Sequence, residues 1–189
     1  IVRGSGNVHV TQPSVVSITQ SCETGTVYPL EEIQEISKIA HKHKMSVHMD
    51  GARFANAIVS LDVSPAEMTW KSGVDVLTLG GTKNGCLAAE AIIFFKPEMV
   101  GNFPFLHKRS GQLLSKMRFI SSQLNAYVSD DVWIKNRHGH PMNQCPAMES
   151  ALLPQSLLQR GQVHWLHQAQ SWPHRFQIES LSEGPQSRG

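Results

Sequence analysis

Val74-Asp75-Val76-Leu77-Thr78-Leu79-Gly80-Gly81-Thr82-Lys83-Asn84-Gly85 is the stretch on which the fold reading turns. Val74, Val76, Leu77 and Leu79 put apolar residues on both faces of an extended run, the pattern of a strand covered by helices on each side. Gly80 and Gly81 then allow a sharp turn and a close approach of the backbone to whatever lies above, because neither carries a Cβ. Asn84-Gly85 is a turn signal of its own. Lys83 is therefore expected at the end of a buried strand, between turn residues and near apolar walls. In such a setting an amine sheds its proton and acts as a nucleophile. The competing reading is a surface lysine in an Asn-Gly turn, and these residues alone leave both open.

Upstream, Val15-Val16-Ser17-Ile18-Thr19 is a β-branched strand. A polar loop from Gln20 to Gly25 follows at its end, where α/β sheets carry ligand contacts. Leu30 to Lys44 reads as a helix, with Leu30, Ile33, Ile36 or Ser37, and Ala40 recurring every three to four residues. Glu31, Glu32 and Glu35 come early in it and Lys38, Lys42 and Lys44 late, the order the helix dipole favours. Met45 to Met49 is a second strand that ends in Asp50-Gly51-Ala52-Arg53, and a helix is expected from Ala52 to about Ser60. Ser64-Pro65-Ala66-Glu67 is a capping box with proline at the first helical position, announcing a short helix that ends near Gly73. Beyond Lys83, Ala91 to Phe95 is a short apolar strand that Pro97 terminates. The order strand, helix, strand, helix, strand, turn, strand predicts an α/β fold with a mostly parallel sheet flanked by helices.

Gly111 to Val128 is the longest periodic stretch, a helix with one apolar seam of Leu113, Met117, Ile120, Leu124 and Tyr127. Arg109, Lys116 and Arg118 lie off that seam and read first as a solvated face, second as a phosphate-binding set. Asp130-Asp131 is expected to cap a further helix through Trp133 to about Asn136. Residues 139–189 are rich in Pro, Gln, Ser and His without a long seam, and a poorly ordered tail is expected there, with one or two helical turns from Leu152 to Leu158.

With 189 residues, 40% hydrophobic and 17% charged, the chain has enough apolar material for one domain or for part of a larger one. A formal charge of +2, spread without a basic stripe, argues against a nucleic-acid or membrane partner. Three cysteines, Cys22, Cys86 and Cys145, are widely spaced and form no Cys-x-x-Cys pair, so neither a disulfide framework nor a zinc site is indicated and a reducing, cytoplasmic setting fits. The histidines have no spacing on one helix face that suggests a metal. No apolar segment approaches the length of a membrane span, about 18 residues. The chain opens on Ile1, in the middle of what reads as a domain, and a fragment is expected.

Asp50 and Arg53 close one strand and Lys83 follows another, 33 residues after Asp50, about one strand-helix-strand unit. That spacing returns the chain to the same edge of the sheet. A carboxylate, a guanidinium and a lysine then share a crevice at the carboxyl ends of the strands. The set fits pyridoxal phosphate: the lysine attaches the cofactor as a Schiff base, the acid keeps the pyridine nitrogen protonated, and the ring becomes an electron sink. Against this stands the reading of Asp50-Gly51 as a plain turn with Arg53 its surface partner. His48, two residues before the acid, reads as a satisfied interior histidine rather than a base, and Cys86 as packing rather than a nucleophile.

Several motifs carry a family resemblance: His48-Met-Asp-Gly-Ala-Arg-Phe-Ala-Asn-Ala57, Ser64-Pro-Ala-Glu-Met-Thr-Trp-Lys-Ser-Gly73, Thr82-Lys-Asn-Gly85, Ala89-Glu-Ala91 and Ser115-Lys-Met-Arg-Phe119. Over roughly Ser14 to Asn136 the sequence resembles the low-specificity L-threonine aldolases, of the β-eliminating lyase group of fold type I pyridoxal-phosphate enzymes. The resemblance implies aldol cleavage of L-threonine or L-allo-threonine to glycine and acetaldehyde, impaired in a truncated chain. It implies Lys83 as the catalytic lysine that binds the cofactor and Asp50 as partner of the ring nitrogen. Arg53 is implied as a contact to the ring or the substrate carboxylate, with Thr82 and the Glu23 to Gly25 loop as further pocket-lining candidates. A homo-oligomer, tetramer or dimer, is implied for the full-length protein. Residues 1–107 then form part of the pyridoxal-phosphate-binding large domain, 108–138 a helical connection toward the small domain, and 139–189 a divergent tail. Two departures stand out. The family's preceding stretch, with its phosphate-binding loop and ring-stacking histidine, has no counterpart here, and the likeness stops after Asn136, as a reading-frame change would produce. Other readings are a different β-eliminating or transaminating enzyme of the same fold, and a non-catalytic fragment that keeps the fold.

Overall fold

Strands β1 (Val15–Thr19), β2 (Ser46–Gly51), β3 (Val76–Gly80), β4 (Glu90–Phe94) and β5 (Gln162–Val163) form one sheet in chain order. β1 to β3 pair in parallel, while β4 is antiparallel to both β3 and β5, so β4 alone runs against the rest. The mostly parallel sheet read from the sequence is present. The computed structural model describes residues 4–129, Val132 and the backbone of Gln162 and Val163. Apart from Val132, the helix expected from Asp130 to Asn136 lies outside the described residues, as do the turns at 152–158.

Helix α1 (Leu30–Lys42) ends two residues earlier than its pattern suggests, with Lys44 in a left-handed conformation behind it. Its buried residues Ile33, Ser37 and Ala40 turn toward the sheet and toward Gly73, where an added Cβ would stand 2.7 Å from the Ser37 Cβ. A small residue on each side is what lets the two backbones approach. Helix α2 (Phe54–Leu61) buries Phe54, Ala55, Ala57 and Ile58. Helix α3 (Pro65–Met68) starts on the capping box: Ser64 accepts from the Glu67 N–H, and the Glu67 carboxylate accepts from the Ser64 N–H. A one-turn 3-10 helix, Trp70–Ser72, carries it on to left-handed Gly73.

The strands show two unlike faces. Ile18, Val47, Met49, Leu77, Leu79, Ala91 and Ile93 alternate onto one face and are all buried in the main core. Ser17, His48, Asp50, Thr78 and Ile92 alternate onto the other, where they are half-buried or exposed. The expectation of a β3 buried on both faces is therefore corrected: Val76 and Thr78 keep partial exposure.

A second correction concerns the long periodic stretch. Helix α5 begins only at Arg118 and runs to Val128, and the seam residue Leu113 lies before it, 38% exposed. A separate helix, α4 (Phe103–Arg109), precedes it, with Pro104 in its first turn and His107, Lys108 and Arg109 in its last. Ser110 and Gly111, the latter at φ +77°, break the chain between them. The Phe103 ring meets Phe94 edge-on at 5.1 Å and places α4 over the β4 side of the less covered face.

Asp75, just before β3, is a buried charge that the apolar pattern concealed. Its Oδ2 accepts from the Val47 N–H and pairs with His41 Nε2, each at 2.8 Å, and its Oδ1 pairs with the Lys96 ammonium. Burial alone would raise its carboxyl, but the bonds from Lys96, His41 and Val47 outweigh it and hold the group below its ordinary value. Asp75 thus ties the end of α1, the start of β2 and the segment after β4 into one corner.

Candidate active site

The opposite edge of the sheet gathers the residues singled out by sequence. Asp50 lies in register between Thr19 of β1 and Thr78 of β3. β2 and β3 are adjacent and parallel, so the loops that follow them leave the sheet on the same side. There an added Cβ on Gly80 would stand 3.0 Å from the Ala52 Cα, which is how closely the backbone leading to Lys83 passes the loop carrying Arg53. The loop after β1 joins them: the Gln20 N–H donates to the Asp50 carbonyl at 2.9 Å, and the Ser21 N–H to the Arg53 carbonyl at 3.4 Å.

Asp50 is half-buried, and its Oδ1 accepts from the Ala52 N–H at 2.9 Å. Its Oδ2 has no hydrogen-bond partner among the described residues. Asp50 and Gly51 are the last two residues of β2 and the turn falls on Ala52 and Arg53, so the reading of Asp50-Gly51 as a plain turn is corrected, and half of the carboxylate is left unused. Arg53 does not pair with Asp50, which corrects that alternative. Its Nη2 meets Glu23 Oε1 at 3.2 Å, with the glutamate 83% exposed, so the guanidinium is tied to the Glu23 to Gly25 loop.

Lys83 sits in a one-turn 3-10 helix, Thr82–Asn84, and is exposed rather than walled by apolar side chains. The reason is that the glycines turn the chain out of the sheet instead of along it. Gly81 faces inward, where an added Cβ would meet the Cys86 Sγ at 2.9 Å and the Ala89 carbonyl at 3.0 Å. Although exposed, the turn is fastened from both sides. Asn84 Nδ2 donates to the Tyr127 hydroxyl at 2.8 Å, and the Gln123 side chain of α5 accepts from the Leu87 and Ala88 N–H groups at 2.9 and 3.3 Å. On the strand side, the Thr82 hydroxyl donates to Glu90 Oε1 and accepts from the Ala89 N–H at 3.3 Å. From sequence Asn84 was read only as a turn residue, Glu90 only as part of the Ala89-Glu-Ala91 motif and Tyr127 as a seam residue, while Gln123 was not singled out.

His48 lies on the same face as Asp50, two residues back. Its Nδ1 meets Ser17 Oγ at 2.8 Å and its Nε2 meets Thr78 Oγ1 at 3.1 Å, so both ring nitrogens are satisfied by flanking strands. Burial lowers its pKa and the Asp50 charge opposes that only in part. Burial also pushes the Cys86 thiol up, with the Glu90 charge adding to it, in keeping with a packing role. In the loop after β1, Thr24 and Thr26 hydroxyls against Cys22 bring that thiol down to about 7. Gln20, fully buried, closes the loop: its amide accepts from the Tyr28 N–H at 3.0 Å and donates to the Tyr28 carbonyl at 2.8 Å. A cavity of about 410 Å³ opens beside Thr82 and Glu90, lined further by Ile92, Phe103, His107 and Met117.

Among the described residues, no three His, Cys, Asp or Glu side chains cluster as metal ligands, and no helix is long and apolar enough to cross a membrane.

Comparison with known proteins places these features. The chain is 44% identical over 147 residues to a low specificity L-threonine aldolase of Pseudomonas sp., and 43% identical over 147 residues to one of Pseudomonas aeruginosa. Those alignments take in 78% of this chain and 42% of each relative, so the chain spans less than half the length of the Pseudomonas proteins. A solved structure of a Leishmania major threonine aldolase superposes with a TM-score of 0.51 at 29% identity, over 58% of this chain and 32% of that one. The family model described as beta-eliminating lyase matches residues 1–173. With most of its length matched by that model and with the fold shared, the chain belongs to the beta-eliminating lyase family.

Proposed function

We propose that this chain carries part of the active site of a pyridoxal-phosphate-dependent aldolase that cleaves L-threonine or L-allo-threonine to glycine and acetaldehyde. The observation that carries the reading is the convergence of three strand ends, bearing Glu23, Asp50 with Arg53, and Lys83, on one edge of a parallel sheet. Close likeness to proteins named low specificity L-threonine aldolase supports the choice of reaction. In this reading residues 1–107 belong to the cofactor-binding large domain and residues 108–138 lead toward the small domain of a cytoplasmic homo-oligomer.

The donor set fits the cofactor. Asp50 keeps one oxygen free on the less covered face, and Lys83 is exposed and makes no ion pair among the described residues. Bound pyridoxal 5'-phosphate supplies a ring that accepts the electrons released when the Cα–Cβ bond of a β-hydroxy amino acid breaks. Lys83 provides the amine that holds it. Asp50 Oδ2 holds a proton on the ring nitrogen through a charge-assisted hydrogen bond, on the order of 1.5 to 3 kcal/mol. Arg53 is set to take a carboxylate: its present partner is an exposed glutamate, and such pairs are worth only about 0 to 1 kcal/mol, so exchange is cheap. Thr82, next to Lys83 in the chain, lines the cavity beside Glu90.

Titrating the chain with pyridoxal phosphate should give a visible absorbance that survives dialysis and is lost in Lys83→Ala. A Lys83→Ala protein that stays yellow would remove the lysine from this role. Asp50→Ala should keep the absorbance and lose cleavage of L-threonine, and unchanged release of acetaldehyde would reject the acid's part. The exposure of Lys83 and the engagement of Arg53 by Glu23 favour a second reading, in which this chain by itself keeps the fold without turnover. Retention of the dye-like absorbance without glycine production marks that case.

A further inference from the structure

We propose that Glu90 is a positioning residue for Lys83: through Thr82 it holds the turn that presents the amine. The inference rests on the reading of Lys83 as the cofactor lysine and adds a residue to it. Glu90 opens β4 directly opposite Gly80 in the antiparallel register. One carboxylate oxygen, Oε1, accepts the Thr82 hydroxyl, which itself accepts the Ala89 N–H at 3.3 Å, so the hydroxyl is used in both directions. The other oxygen, Oε2, lies over Gly80, where an added Cβ would come within 2.8 Å of it.

Lys83 is therefore flanked by two clamps. Thr82 before it is fixed to the sheet through Glu90, and Asn84 after it is fixed to α5 through Tyr127 at 2.8 Å. Between them Lys83 stays exposed and makes no ion pair among the described residues. A hydrogen bond to a carboxylate is stronger than one to a neutral acceptor, so the clamp on the strand side dominates. Glu90 touches neither reacting atoms nor cofactor in this arrangement; it acts through Thr82.

Amide hydrogen exchange on the full chain without cofactor tests the clamp, and borohydride trapping of pyridoxal phosphate at Lys83, read by peptide mass spectrometry, tests what the clamp does. Glu90→Ala and Thr82→Val should each speed exchange of the Ala89 N–H and slow trapping at Lys83, both by about fivefold, the scale of one solvent-accessible hydrogen bond. Labelling of exposed Lys38 should not change. Glu90→Gln, which keeps an acceptor at Oε1, should restore both rates. Unchanged exchange in Glu90→Ala overturns the proposal, as does a Glu90→Gln protein as impaired as Glu90→Ala. Faster exchange with undiminished trapping leaves Glu90 a purely structural tie and overturns it too. Thr82→Val removes the hydroxyl that donates to Glu90 and accepts from Ala89, so its readout is the trapping: slower trapping supports the clamp and undiminished trapping overturns it, which keeps the test decisive if Glu90→Ala does not fold. Should wild-type Lys83 resist trapping while Ala89 exchange still answers to Glu90, the cofactor reading fails and the clamp on the turn stands.

Discussion

Asp75 and Asp50 are carboxylates at opposite edges of the same sheet, and the fold treats them in opposite ways. Asp75 is 2% exposed and spends both oxygens on a lysine, a histidine and a backbone N–H. Asp50 is half-buried, takes one backbone N–H and leaves its Oδ2 without a partner among the described residues. A charge that is there for the fold is neutralised by the fold, because a buried charge left unpaired is costly. A charge with an unspent oxygen on a less covered face is open to water or to a ligand. The same contrast separates Lys96, held by Asp75, from Lys83, which makes no ion pair among the described residues.

The strongest way to break the comparison is Asp75→Ala. It strands the buried Val47 N–H, whereas Lys96 and His41, at 48% and 38% exposure, regain water. The expected loss is therefore about 1 to 3 kcal/mol, the range for one orphaned buried group rather than for a fully buried ion pair. Urea unfolding measures it, and a midpoint unchanged from wild type would mean the corner is not a tie. Acid pH probes the same group. Its folded pKa lies below the unfolded value of about 3.9, so the unfolded chain binds more protons in that interval. The stabilisation is complete above the unfolded value and disappears as pH falls through the folded one. Wild type and Asp75→Ala should converge in stability as acid is added, and parallel curves would contradict the assignment.

A smaller effect is expected at His48, where burial disfavours the charged ring. Stability drawn from the neutral form is present above the unfolded value of about 6.5 and is lost as pH falls through the depressed folded value. An NMR titration of the imidazole should give a midpoint below 6.5, and Asp50→Asn, by removing the opposing charge, should lower it further; an upward move would separate the two residues. Smallest of all is the stability change in Asp50→Asn itself. The amide oxygen keeps the bond from the Ala52 N–H, so the cost should stay within about 0.5 kcal/mol. A loss as large as that of Asp75→Ala would erase the distinction between the two acids.

What could be read from the chain in advance was what is encoded locally. β1 spans Val15–Thr19 as its β-branched run indicates, and the Ser64 to Glu67 box forms with both of its reciprocal bonds, because each depends on residues within a few positions. The 111–128 seam failed at its start: Leu113 fits helical spacing, yet residues 112–117 form turns and bends and α5 begins only at Arg118, a difference that apolar periodicity alone does not register. Asp75 passed unnoticed inside an apolar run, since its partners His41 and Lys96 come from a distant helix and from beyond β4. In the candidate site, Asp50, Arg53 and Lys83 were visible as strand-end charges. The hydrogen bonds that fix the lysine turn were not, because Glu90 and Gln123 meet it only after β4 has doubled back and α5 has packed.

Gln20 deserves a last consequence. By exchanging two hydrogen bonds with the main chain of Tyr28, its side chain does what one more rung of a ladder would do, and it does so from a position with no access to solvent. The excursion from Cys22 to Val27 is thereby stapled at its base. Beyond that staple the loop reaches its neighbour through the exposed Glu23 carboxylate on Arg53, so an exchange of Glu23 is expected to be felt at Arg53 rather than in the strand beneath.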